Sequence, residues 1–325
     1  THGPDLFPSA FITSLGAPSN YVGPGRVFRS VQRNADLALL RPLTDQDPDG
    51  WLPTTHKNGH RPRWNGREEI PPSLQEAVRD FVYACAVRKV RGQGDKHSSM
   101  LVHVTRFTSV QAEVCSQISA FVRGMKDRFV RGIDLEPLEA AMREEFETRF
   151  RPGMAQVRDT LFAGQDAAEL ETMPDLSWEE IRGLLPDILS DIDVREINGS
   201  AKDALDYEEH KRTGLKVIAI GGDKLARGLT LEGLCTSYFV RTTKMYDTLM
   251  QMGRWFGYRD GYLDVCRLYT SRDMIDWFGH IADAAEELRQ HFDAMAAAGG
   301  TPRDFGLRVK SHSILTVTSR AKMKH

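Results

Sequence analysis

The chain has 325 residues, 41% of them apolar and 27% charged, and a formal net charge of −2. That length accommodates two domains or one large decorated one, and the composition is ordinary for a folded globular protein. The near-neutral balance excludes a protein that coats nucleic acid indiscriminately, leaving room for a local basic groove, and no window approaches the ~18 continuous apolar residues of a membrane span. Cys85, Cys115, Cys235 and Cys266 sit singly in apolar segments with no Cys-x-x-Cys pair, so they read as reduced core residues of a cytoplasmic protein.

Residues 1 to about 70 are rich in Pro, Gly and Asp, as in Asp47-Pro48-Asp49-Gly50, and read as loop packed on the edge of the core. His56 and His60 bracket part of this loop without a second ligand pair, which argues against a metal. A helix follows, opened by a capping box from Ser73 to Glu76, carrying Leu74, Ala77, Val78, Phe81, Val82 and Cys85, and broken at Arg91-Gly92-Gln93-Gly94. The strand Met100–Val104 leads through Thr105-Arg106-Phe107 to a helix capped by Thr108. Charge rises between 131 and 190, where helical periodicity continues. Val194–Ile197 is the next strand, turning at Asn198-Gly199-Ser200; Val217–Ile220, Cys235–Val240 and Val265–Thr270 follow, then a helix from Ser271 to Ala298 and a last strand at Ser313–Thr318. Strands alternating with helices predict an α/β fold around a parallel sheet.

Two blocks carry the chemistry. The first runs Leu225-Ala226-Arg227-Gly228-Leu229-Thr230-Leu231-Glu232-Gly233; the second runs Met250-Gln251-Met252-Gly253-Arg254-Trp255-Phe256-Gly257-Tyr258-Arg259. Arginines fixed beside a parallel sheet suit the stabilisation of phosphoryl charge. The blocks resemble motifs V and VI of superfamily-two helicases, the signature loops of the second RecA-like lobe, and Met100–Phe107 resembles motif IV. Their wording, together with Pro18–Pro24, Gly221–Thr230, Tyr246–Arg259 and Pro302–Arg308, is similar to that of the Z-one domain family. Such domains carry an endonuclease label and occur attached to helicase cores in bacterial restriction and defence systems.

The resemblance implies a RecA-like lobe over 98–130 and 191–285, a helical insertion over 131–190, and extensions over 1–97 and 286–325. It implies Arg254, and less directly Arg259, as arginine fingers, with Arg227, Gly228, Glu232 and Gln251 linked to nucleotide. Thr105, Arg106, Asn198, Ser200 and Thr230 would meet nucleic-acid phosphates. Two departures stand out: Thr230 occupies a position where motif V has an acid, with Glu232 only a partial substitute, and Arg259 follows Arg254 by five residues rather than three. Lys89, Arg91 and Lys96, with Arg303, Arg308, Lys310, Arg320, Lys322 and Lys324, would extend a phosphate-tracking surface.

No Gly-x-x-x-x-Gly-Lys-(Ser/Thr) loop is present, so ATP and Mg2+ are expected on a first lobe upstream of Thr1, and the chain alone is not expected to hydrolyse ATP. The expected partners are DNA, that lobe and other defence subunits, with no membrane. Two other readings stay open. One is a metal-dependent endonuclease, for which Pro186-Asp187 and Glu209-His210-Lys211 form a loose match in a polar context; the other is a degenerate RecA-like scaffold.

Overall fold

Among the described residues six strands form one sheet: β1 (Leu40–Pro42), β2 (Ser98–His103), β3 (Ile192–Ile197), β4 (Lys216–Gly221), β5 (Leu234–Phe239) and β6 (Arg267–Thr270). Their order is β1-β6-β5-β2-β4-β3 and every pairing is parallel. The computed structural model describes residues 21–28, 39–46, 50–53, 55–161, 170–197, 207–222, 230–240, 249, 253 and 257–300. β2, β4 and β5 are buried at every residue, as central strands of a parallel sheet covered on both faces are. The strand expected at 313–318 lies outside the described residues.

The described helices are α1 (Pro24–Phe28), α2 (Pro72–Arg88), α3 (Thr108–Arg131), α4 (Leu135–Glu145), α5 (Arg151–Leu161), α6 (Trp178–Arg182), α7 (Leu185–Asp191) and α8 (Arg272–Ala297). One face of the sheet, with Met100, Val102, Ile218 and Ile220, packs in a single core with α2, α3 and α7. On the other face Phe239, Leu268 and Leu40 meet α1 and α8, while Leu101, Val217 and Ala219 meet Tyr207, Leu215 and Leu231. Residues expected in an N-terminal extension thus supply β1 and the most buried helix, α2, to the same layers. α8 likewise runs unbroken past residue 285.

Local signals fare unevenly. α2 opens at Pro72, a first-turn position where the missing N–H costs nothing, so Ser73 lies inside the helix and the Ser73–Glu76 capping box does not form. Asp45 takes the Ser73 N–H at 2.8 Å, and the Ser73 hydroxyl shares a hydrogen bond with the Tyr238 hydroxyl at 2.8 Å. A capping box forms instead at Ser177 and Glu180. Thr108 is the first residue of α3 and not its cap, which is Phe107. Ser271, read as the first residue of the last helix, is the cap of α8 and accepts the Met274 N–H at 3.3 Å.

Two buried carboxylates tie the α4–α5 region to the sheet layer. Asp80 of α2 receives two bonds from Arg149 at 2.7 and 2.9 Å and one from the Tyr269 hydroxyl at 2.6 Å. Asp264, beside β6, receives Arg91 at 2.7 and 2.8 Å and Arg158 at 2.9 Å. Burial alone would raise the Asp80 carboxyl, but Arg149, with Arg267 and Tyr269, outweighs it and holds the group below 3.8. Replacing Arg149 with Ala leaves that charge buried with its main partner gone, which should cost about 3–5 kcal/mol in urea unfolding, with Arg149→Lys intermediate. Because the folded Asp80 pKa is depressed, its contribution is fully present above about pH 4 and is lost as pH falls through the folded value, so a wild-type acid titration should show its loss only below that point.

Candidate functional site

In a parallel sheet every strand leaves at one edge and every connection returns to the other, which fixes where each motif block can lie. β5, β2 and β4 are adjacent at the centre of the sheet, and the segments after them carry the second block, the Thr105-Arg106-Phe107 loop and the first block respectively. β2 hands on to β3 on one side and β5 hands on to β6 on the other, so the chain reverses direction between β2 and β5. At such a switch point the strand ends leave an open crevice, where α/β proteins bind ligands.

At this carboxyl edge the structure describes Thr105 and Arg106. Arg106 is exposed, with its guanidinium 4.9 Å from the Phe107 ring centre. Thr105 is 1% exposed and its hydroxyl is already engaged, accepting the Phe107 N–H at 3.2 Å and paired with His56 Nε2 at 2.7 Å. His56 Nδ1 faces the Pro53 carbonyl at 2.6 Å, so Nδ1 carries the proton and Nε2 accepts from Thr105. Thr105 is therefore a strut for its loop and not the free phosphate contact expected of it. The two histidines of the N-terminal loop, set aside as metal ligands, hold that loop in place: His60 Nε2 lies 3.0 Å from the Trp51 carbonyl.

The amino edge is a separate surface, and Glu232 and Arg259 belong to it. The Glu232 carbonyl accepts from the Ser99 hydroxyl at 2.7 Å, at the start of β2, and its carboxylate stands 3.8 Å from His97 Nε2. His97 Nδ1 accepts the Leu215 N–H at 3.0 Å, which leaves its proton on Nε2, facing Glu232. Burial lowers the His97 pKa, with Glu232 partly opposing. The Arg259 carbonyl accepts the Tyr262 N–H at 3.1 Å, and the same turn is held by Gln93 Nε2 on the Asp260 carbonyl at 3.0 Å and by Arg91 on the Gly261 carbonyl at 3.2 Å. The Arg259 guanidinium donates to the Tyr258 carbonyl at 2.8 Å. Glu232 thus cannot replace a motif V acid at the carboxyl edge, because it lies at the far end of β5. Thr230 is exposed on the segment entering β5.

Arg88 organises the amino edge and was not singled out by the sequence. It is 3% exposed, donates to Gln93 Oε1 at 2.9 Å and to the His97 carbonyl and Ser98 hydroxyl at 2.7 Å each, and lies 4.2 Å over the Tyr262 ring. Arg91, expected on a basic surface, is instead sequestered by Asp264, with its side chain 1% exposed, and Lys89 faces Asp187 at 3.8 Å. That pairing also occupies the acid of the nuclease-like match, while Lys211 bonds Glu208 at 3.4 Å. Among the described residues no three His, Cys, Asp or Glu side chains gather closely enough to hold a metal ion.

Arg227, Gly228, Asn198, Ser200, Gln251 and Arg254 lie outside the described residues. Their described neighbours are Ile197 at the end of β3, Gly221-Gly222 at the end of β4, and Gly253, whose N–H donates to the Leu249 carbonyl at 3.1 Å. The four cysteines are free; Cys85, Cys235 and Cys266 are buried, and burial pushes the thiols of Cys85 and Cys266 up to about 12.

Gly233 sets how closely the amino edge packs. It holds φ +62°, and a Cβ there would stand 1.8 Å from the His97 carbonyl oxygen. Gly233→Ala should therefore lose at least about 2 kcal/mol, read as a lowered melting temperature.

A family model described as the Z1 domain matches residues 73–316, more than half of the chain, and the chain belongs to that family. No curated protein and no solved structure matches it.

Proposed function

From this family membership and the sheet order, we propose that the chain is the second motor lobe of a helicase- or translocase-like ATPase of the superfamily-two kind. It would act on DNA within a bacterial restriction or anti-phage defence protein. The observation that carries this reading is the adjacency of β5, β2 and β4, which brings the segments after all three motif-like strands out at one edge of the sheet. Arg106 is exposed at that edge for a phosphate.

Arg254, in its Gln-x-Gly-Arg setting, is the residue proposed to reach a γ-phosphate held elsewhere, with Arg227, Gly228 and Gln251 supporting it. A guanidinium there would spread developing charge on the transferred phosphoryl group without itself exchanging a proton. The residues at hand fit a contributor to an ATP–Mg2+ site and not its holder. No glycine-rich Lys-Ser/Thr loop occurs in the sequence, and the described acids form no metal cluster. ATP and Mg2+ are accordingly assigned to a partner lobe, and this chain's part is to orient, to supply positive charge and to track DNA.

The test is DNA-stimulated ATP hydrolysis by a polypeptide joining this chain to a first motor lobe. Arg254→Ala should lower turnover by roughly a thousandfold while leaving nucleotide binding intact. Arg259→Ala should have a much smaller effect, since its turn is held at the amino edge. Unchanged turnover in Arg254→Ala would reject the motor-lobe reading, and metal-dependent cleavage of DNA by the chain alone would replace it.

A further inference from the structure

The segment from His56 to Arg67 carries Lys57, Arg61, Arg63 and Arg67 and no carboxylate, in a chain whose overall charge is −2. It is built firmly onto the start of α3. The Ser109 hydroxyl receives the Gly59 N–H at 3.0 Å and donates to Asn58 Oδ1 at 2.6 Å. Gln117 accepts the Trp51 indole N–H at 2.8 Å and donates to the Pro62 carbonyl at 2.7 Å. His56 bonds Thr105 and packs edge-on against Phe107, the ring beneath Arg106. The segment closes in a tight turn, with Trp64 and Arg67 exchanging backbone bonds at 2.9 and 3.0 Å around Asn65 (φ +49°) and Gly66 (φ +78°). Asn-Gly is the pair such a turn requires.

The Gln117 bonds to Trp51 and Pro62 are buried, and all four cations are exposed. Only Arg63 has a carboxylate partner among the described residues, Glu68 at 3.4 Å, and that pair is more than half exposed on both sides. Arg106 adds a fifth exposed cation from the adjoining loop.

We propose that residues 56–67 form a strap that grips a nucleic-acid phosphate backbone beside the carboxyl edge of the sheet, a contact surface outside the motif-like blocks. A protein partner would need an apolar anchor, whereas the exposed large apolar side chains among the described residues are Val90, Val130, Ile133 and Tyr258, none of them in the strap. Exposed guanidinium groups carried on an anchored backbone suit a polyanion recognised through its phosphates and not its bases. The strap rests on the motor-lobe reading only for its choice of ligand and needs no nucleotide.

The experiment is fluorescence anisotropy of the intact chain with a labelled oligonucleotide, single-stranded and duplex, across about 50 to 200 mM salt without ATP. Wild type is compared with the triple variant Arg61→Gln, Arg63→Gln, Arg67→Gln. A control triple, Arg123→Gln, Arg128→Gln, Arg131→Gln, makes the same charge change at the far end of α3. The strap variant should bind at least about tenfold more weakly and lose about 2 to 3 from its log–log salt slope, with the control close to wild type. Matching melting curves establish that both variants fold. Equal losses in both triples, an unchanged slope in the strap variant, no binding by the wild type, or capture of polyglutamate in place of DNA would each overturn the proposal. Since Arg254 is untouched and ATP absent, failure here leaves the motor-lobe reading standing. Conversely, a silent Arg254→Ala with an active strap would remove that reading alone.

Discussion

One topological constraint governs the molecule: all six strands run in the same direction. Each must be re-entered from the edge at which the others begin, so every connection spans the full height of the sheet. The two motif-like blocks are such connections. Residues close together in sequence are therefore free to finish at opposite ends of the sheet, as Gly222 and Glu232 do on either side of the crossover from β4 to β5. The result is a carboxyl edge displaying Arg106 and the basic strap, and an amino edge holding Arg259, Glu232 and His97 around Arg88.

The two edges differ in physical character. The amino edge is closed: Arg88 is enclosed by carbonyls, a hydroxyl and an aromatic ring, and Gly233 lets two backbones touch. Its hydrogen bonds join the starts of β2 and β5 with the turn that precedes β6, so it behaves as a hinge-free base. At the carboxyl edge the described loops around His56 and Thr105 rest on α3 through Ser109 and Gln117. Rigid support beneath with variable loops above is a common arrangement for binding sites.

Much of the fold was legible because burial leaves a strong mark on composition. Val217–Ile220 and Cys235–Phe239 could hardly be anything but strands covered on both faces, and the apolar spacing of α2 matched its buried stripe. Position along a strand was harder to read. Nothing local to Glu232 says that it starts β5, so its resemblance to a motif acid concealed its edge. Arg91 looked like surface charge since Asp264, which buries it, stands 173 residues away. Ser73 lost its capping role because the helix already begins at Pro72, with Pro71 at the cap position, a competition that the Ser-x-x-Glu spacing does not reveal. Thr105 was expected to meet a phosphate, but its hydroxyl is committed to His56, whose importance became visible only once the N-terminal loop met α3. The cations of the strap were overlooked in a segment read as loop, where charge without periodicity carries little information.

Asp80 and Asp264 each depend on guanidinium groups that belong to the helices between α3 and β3, through Arg149 and Arg158. Arg267 completes the linkage, its buried guanidinium donating to the Phe150 carbonyl at 3.0 Å across the same junction. The helices are therefore not an ornament that recombination could remove or exchange at will. Without them Asp80 would stay sealed in the interior without Arg149, and Asp264 would keep Arg91 as its guanidinium partner. The helices between α3 and β3 and the sheet layer thus share one set of buried charges and should unfold as one unit.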